Sequence, residues 1–205
     1  MPRWGPRLGE AHRLAGAQPK LRQILEALPQ TLCHHDAVGA NVLRSEDRTV
    51  LIDWESVGPG PVGADLASLL FASARRGDAS ARVVAATVED AFEAYVEGLR
   101  VERPAVDVPL ARRALDAAIA LRWKLAADVA SAIERGETPR RGSMPNESPM
   151  QSLEELSILV QVLLDAAHRA LEEERRTGLG VVAEGPPLEE YPDGPHCGQG
   201  RRPAA

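Results

Sequence analysis

Cysteine is nearly missing from the chain. Its 205 residues hold two, Cys33 and Cys197. They stand far apart in unlike contexts, which excludes a disulfide framework and reads as two reduced thiols. No run of about 18 uncharged apolar residues occurs, so no transmembrane helix is expected. Arg3 and Arg7 near the N-terminus are not followed by the apolar stretch of a signal peptide, and the cytoplasm is the default location. There is no surplus of positive charge either: 24 Lys and Arg face 30 Asp and Glu, for a net charge of −6. Nucleic-acid backbones call for basic patches, so no nucleic-acid partner is expected. The same acidity suits a cationic small molecule. What is present is a 44% hydrophobic chain, long enough for one domain with a real core.

The apolar residues carry mostly a helical period. Residues 1–16 are rich in Gly, Arg and Pro without a clear period and read as a poorly ordered arm. Leu21, Ile24, Leu25 and Leu28 predict a helix that Pro29 stops. Residues 55–61, Glu-Ser-Val-Gly-Pro-Gly-Pro, read as a loop that cannot be a helix or an inner strand. Helices are then predicted over 63–76, 80–102, 108–135 and about 150–176, with a polar loop over 136–149. Residues 178–205 hold many Gly and Pro and few core residues, and read as a disordered tail. The expected domain is therefore 17–177.

One stretch departs from the helical pattern. Residues 31–54 read Thr-Leu-Cys-His-His-Asp-Ala-Val-Gly-Ala-Asn-Val-Leu-Arg-Ser-Glu-Asp-Arg-Thr-Val-Leu-Ile-Asp-Trp. Two apolar runs flank the polar turn 45–48, which predicts a β-hairpin with Arg44 opposite Thr49 and Leu43 opposite Val50. Asn41 then faces Ile52, and Asp53 returns beside Asn41. An amide oxygen and a carboxylate converge there, a ligand pair suited to Mg²⁺ when phosphates and waters complete the shell. Asp36, five residues before Asn41, can accept a proton from a hydroxyl placed beside that metal.

The pattern His34-x-Asp36-x4-Asn41, followed by Ile52-Asp53-Trp54 and Gly63-Ala64-Asp65-Leu66-Ala67, resembles the aminoglycoside phosphotransferase/choline kinase family, whose fold is protein-kinase-like. The resemblance covers residues 31–70 well and the helical remainder in general character. It implies a mainly α (α+β) fold, the helical C-terminal lobe of a kinase-like enzyme with a short hairpin at the catalytic loop. It also implies ATP and Mg²⁺ as cofactors, Asp36 as catalytic base, Asn41 and Asp53 as metal ligands, Asp65 as brace of the loop and His34 as a packed, hydrogen-bonded support. The substrate class is a small molecule bearing a hydroxyl. His35 departs from the pattern, because that place is more often small, and it reads as an exposed, incidental histidine. Residues 37–40 lack the basic or polar residue that relatives often carry.

In this family a nucleotide-binding lobe precedes the catalytic loop, with a sheet, a glycine-rich turn and a strand lysine. The 33 residues before His34 show none of these. The chain is expected to be the larger lobe of a phosphotransferase, truncated or completed by a neighbouring polypeptide. The alternative is a non-catalytic, pseudokinase-like module that binds a small molecule or a partner. A third reading, a helical metallophosphohydrolase built on His35-Asp36 with distant ligands such as His12, conflicts with the hairpin and glycine that follow. Glu89, Glu93 and Glu97 recur every four residues and read as a solvated face. Trp123 reads as a core anchor and Cys33 as a buried, inert thiol.

Overall fold

The computed structural model describes residues 4–141 and 147–177. Seven helices and four short strands follow in the order α1 (Gly5–Gly16), α2 (Gln18–Ala27), β1 (Gln30–Cys33), β2 (Val42–Arg44), β3 (Thr49–Leu51), β4 (Gly58–Pro61), α3 (Ala64–Arg76), α4 (Ala81–Glu102), α5 (Val108–Ala120), α6 (Trp123–Glu134) and α7 (Pro149–Thr177). This is the mainly helical lobe with a hairpin that the sequence predicts. Among the described residues no helix is long and apolar enough to cross a membrane. The tail expected over 178–205 lies outside the described residues.

Helix α5 is the centre. Leu115, Ile119 and four of its alanines are buried together with the charged Arg113 and Asp116. A helix buried nearly all round must be walled on every side; α2, α3, α4 and α7 all pack against it. Its alanines let those neighbours approach closely. The carboxylate of Asp116 has its charge matched by Arg169 of α7, at 2.7 and 3.0 Å, and by Arg112 Nε at 3.2 Å. Along α7, Leu153, Leu156, Leu159, Val160, Leu163 and Leu164 form one buried face. That face is consumed by packing within the chain.

Three expectations are corrected. The arm over 1–16 is helical from Gly5: Pro6 sits in the first turn, and Trp4, Ala11 and Leu14 are buried where α1 packs on α6 and α7. Its apolar positions are few, and only the neighbouring helices make them a core face. The single helix expected over 108–135 is two, broken at Leu121 and Arg122. The Arg122 N–H turns back to Ile119 O at 3.0 Å, which redirects α6 onto α1 while α5 stays on α7. Finally, Gly58–Pro61 is a strand, antiparallel to β1 with Thr31 opposite Gly60. Val62 N–H reaches Pro29 O at 3.2 Å; stepping back by two, Gly60 and Gly58 turn their N–H groups to β1, while Pro59 and Pro61 fall on outward positions where no donor is needed.

Candidate active site

The loop between β1 and β2, and the hairpin after it, bring the motif residues together. Strands β2 and β3 pair as the sequence predicts, Arg44 with Thr49 and Leu43 with Val50. The turn closes through Ser45 N–H to Arg48 O at 2.9 Å, and the ladder extends one step through Ile52 N–H to Asn41 O at 3.0 Å. Asp53, next in the chain, is thereby delivered beside Asn41. Asp53 has φ 65° and ψ 62°, the left-handed region that Asp tolerates better than most residues. The conformation ends the strand and starts the turn at Trp54–Ser56.

His34 is 1% exposed and satisfied on every side. Its Nε2 lies 2.8 Å from Ile52 O, and its Nδ1 accepts from Asp36 N–H at 3.3 Å. A carbonyl can only accept and an N–H only donate, so these partners select the neutral ring with the proton on Nε2. Trp54 packs edge-on against it with centroids 4.7 Å apart. One buried imidazole thus ties the loop to the hairpin.

Asp65 enters from the first turn of α3. Its Oδ2 accepts from His34 N–H at 2.7 Å and its Oδ1 from His35 N–H at 2.9 Å. Gly63 makes that entry possible with φ 93°, and a Cβ there would stand 3.3 Å from the Leu115 backbone nitrogen. Its N–H donates to the Tyr95 hydroxyl at 2.9 Å. Burial is the main force pushing the Tyr95 hydroxyl above its ordinary pKa.

Asp36 is exposed. Asn41 Nδ2 donates to its Oδ2 and its backbone carbonyl, both at 2.9 Å. That commits the amide nitrogen and leaves Asn41 Oδ1 without a donor among the described residues. The Asp53 carboxylate is exposed and likewise makes no hydrogen bond or ion pair to a described residue. Two unsatisfied oxygens on adjoining backbone suit a hard divalent cation.

His35 is more than incidental. It adopts φ 62°, and its Nε2 lies 3.1 Å from Pro59 O. A Cβ on Gly60 would stand 2.7 Å from the His35 ring and 2.9 Å from Cys33 Sγ. The ring therefore clamps the loop to β4, and Gly60 is required by close approach. No periodicity signals this contact, because it depends on the β1–β4 pairing. His12, the distant ligand of the metallophosphohydrolase reading, is bound elsewhere: its Nε2 meets Glu134 at 2.9 Å. Among the described residues no three His, Cys, Asp or Glu side chains converge on a metal position. That reading is withdrawn. In the acidic stripe, Glu89 is tied to Arg112, which holds its carboxyl below the usual range; Glu93 and Glu97 are solvated.

A family model described as the phosphotransferase enzyme family (APH) matches residues 2–105. The matched residues run from α1 to the end of α4 and include every motif residue. No curated protein and no solved structure matches the chain.

Proposed function

The chain belongs to the phosphotransferase enzyme family, and from that premise we propose that its 31–54 segment is the catalytic loop for transfer of a phosphoryl group from ATP to a small-molecule hydroxyl. The observation that carries the reading is the division of labour on Asn41, whose nitrogen fixes Asp36 while its oxygen stays available beside Asp53. Asn41 Oδ1 and the Asp53 carboxylate would hold Mg²⁺, which supplies charge neutralisation to the phosphates. Asp36 keeps one carboxylate oxygen free to take the proton of the acceptor hydroxyl as the new O–P bond forms and the nucleotide's terminal O–P bond breaks. His34 and Asp65 do not touch the reactants; they hold the Asp36 backbone at the position required, and positioning is most of this chemistry.

The nucleotide itself needs more than this surface. Residues 4–33 form two helices and one strand, which offer no glycine-rich cover or strand lysine for a triphosphate. We infer that a further lobe completes the enzyme, that the cytoplasm supplies its ATP, and that 17–177 with α1 is the acceptor-side half. The same observation favours the second reading, a non-catalytic binding module. The 205-residue chain alone should bind ATP no tighter than about millimolar, a free energy of about 4 kcal/mol. Saturating Mg²⁺-ATP should raise the melting temperature slightly, and Asp53→Ala should remove that rise while leaving the fold intact. An unchanged rise in the variant would overturn the metal assignment. Lack of any rise in the unaltered chain would favour the non-catalytic module.

A further inference from the structure

A cavity of about 690 Å³ opens between the C-terminal half of α3 and the α5–α6 junction. None of the loop residues Asp36, Asn41 or Asp53 lines it. Four cationic side chains do, Arg75, Arg76, Arg122 and Lys124, against two carboxylates, Asp78 and Asp128. The carboxylates are already engaged: Arg76 Nε lies 3.4 Å from Asp78, and Lys124 Nζ lies 2.9 Å from both Asp128 oxygens. Arg75 and Arg122 are left over. Neither side chain makes an ion pair or hydrogen bond among the described residues, and the Arg122 Nε is buried without a partner.

Such an arrangement is costly as it stands. Burial, and then the charge of Arg75, push the Arg122 guanidinium below its ordinary pKa, so the two cations are close enough to repel. Arg122 is also the residue from which α6 starts, so the positive end of that helix dipole adds to the same wall. Folding tolerates an unmatched pair of like charges more readily when an anion shares them. Phe71, Leu121 and Leu125 line the same cavity and add apolar surface beside the cations.

We propose that this cavity binds a small organic phosphate, its dianionic head between Arg75 and Arg122 and its apolar body against Phe71, Leu121 and Leu125. Two leftover positive charges match a dianion, and the three oxygens of a phosphate monoester can serve two guanidinium forks. A carboxylate offers one charge and two oxygens. The site is independent of the phosphoryl-transfer reading, since it shares no residue with the 31–54 loop.

Calorimetric titration with phenyl phosphate at low ionic strength tests the site. The unaltered chain should bind it saturably, inorganic phosphate should bind more weakly, and added salt should weaken both. Arg75→Ala and Arg122→Gln should each cost about tenfold in affinity, as expected for loss of a charge-assisted contact. Arg82→Ala, on α4 and paired with Glu154, should change nothing. Arg75 is exposed, so Arg75→Ala carries the test even if Arg122→Gln does not fold. The proposal is overturned by absence of saturable binding at millimolar phenyl phosphate, by binding that survives Arg75→Ala, or by binding lost in Asp53→Ala instead.

Discussion

At the scale of single residues, the loop is defined by close contacts that leave little room for change. Cys33 is 2% exposed and its Sγ lies 3.6 Å from Pro61 O. Burial, with the Asp65 charge adding to it, pushes the thiol from its ordinary value of 9.0 to about 11. The nucleophile of cysteine is the thiolate, so near neutral pH this side chain is inert. The raised value also sets a sign for stability. The neutral thiol is favoured in the folded protein, so its contribution is fully present below the unfolded pKa near 9.0 and is lost as pH rises toward 11. Urea midpoints measured on either side of this window should fall with rising pH, and less steeply in Cys33→Ala. Equal slopes for the two proteins would show that Cys33 ionises as freely folded as unfolded.

Between elements, the most instructive junction is the turn from α3 to α4. Arg141, 6% exposed, donates to Ala74 O at 2.9 Å and Ala79 O at 3.0 Å. It also pairs with Glu155 at 2.9 Å and Glu147 at 2.7 Å. Glu155 in turn accepts from the Ala81 N–H at the start of α4. One guanidinium thus closes the end of α3, the entry to α4 and the approach to α7. Removing it strands two carboxylates and two carbonyls away from water. Arg141→Met should therefore cost about 3 kcal/mol in chemical unfolding. Arg82→Ala breaks an exposed pair and should cost less than about 0.5 kcal/mol. Comparable losses in the two variants would mean that the Arg141 network is solvated.

Across the whole molecule, α1 is the element whose status changes most once the chain is folded. It is fastened by Arg7 Nη1 to Ser157 Oγ at 2.6 Å and by His12 to Glu134 at 2.9 Å, at opposite neighbours α7 and α6. Leu14 is 4% exposed. Leu14→Ala should destabilise the protein by about 3 kcal/mol in a two-state melt, the usual cost of a cavity in a packed core. A disordered arm would leave the melt unchanged, so the measurement decides whether α1 belongs to the domain in solution.

What the sequence determined by itself was local. The hairpin register, with Leu43 opposite Val50, followed from two apolar runs and a four-residue turn, because strand pairing across a short turn has almost no freedom. The helices α2, α3, α4 and α7 followed from periodicity, since each has one broad apolar face and a proline, a glycine or a capping residue at an end. The spacing of Asp36, Asn41 and Asp53 was equally readable, because turn geometry alone returns position 53 to position 41. What only the tertiary structure decided were contacts between distant segments. The His35 ring against Gly60 and the break at Leu121 and Arg122 depend on packing, to which a period is blind. The Arg75–Arg122 cavity is the extreme case. Its two cations lie on different helices, and nothing in either neighbourhood signals the other, because like charges are brought together by the folds of helices whose apolar faces point elsewhere.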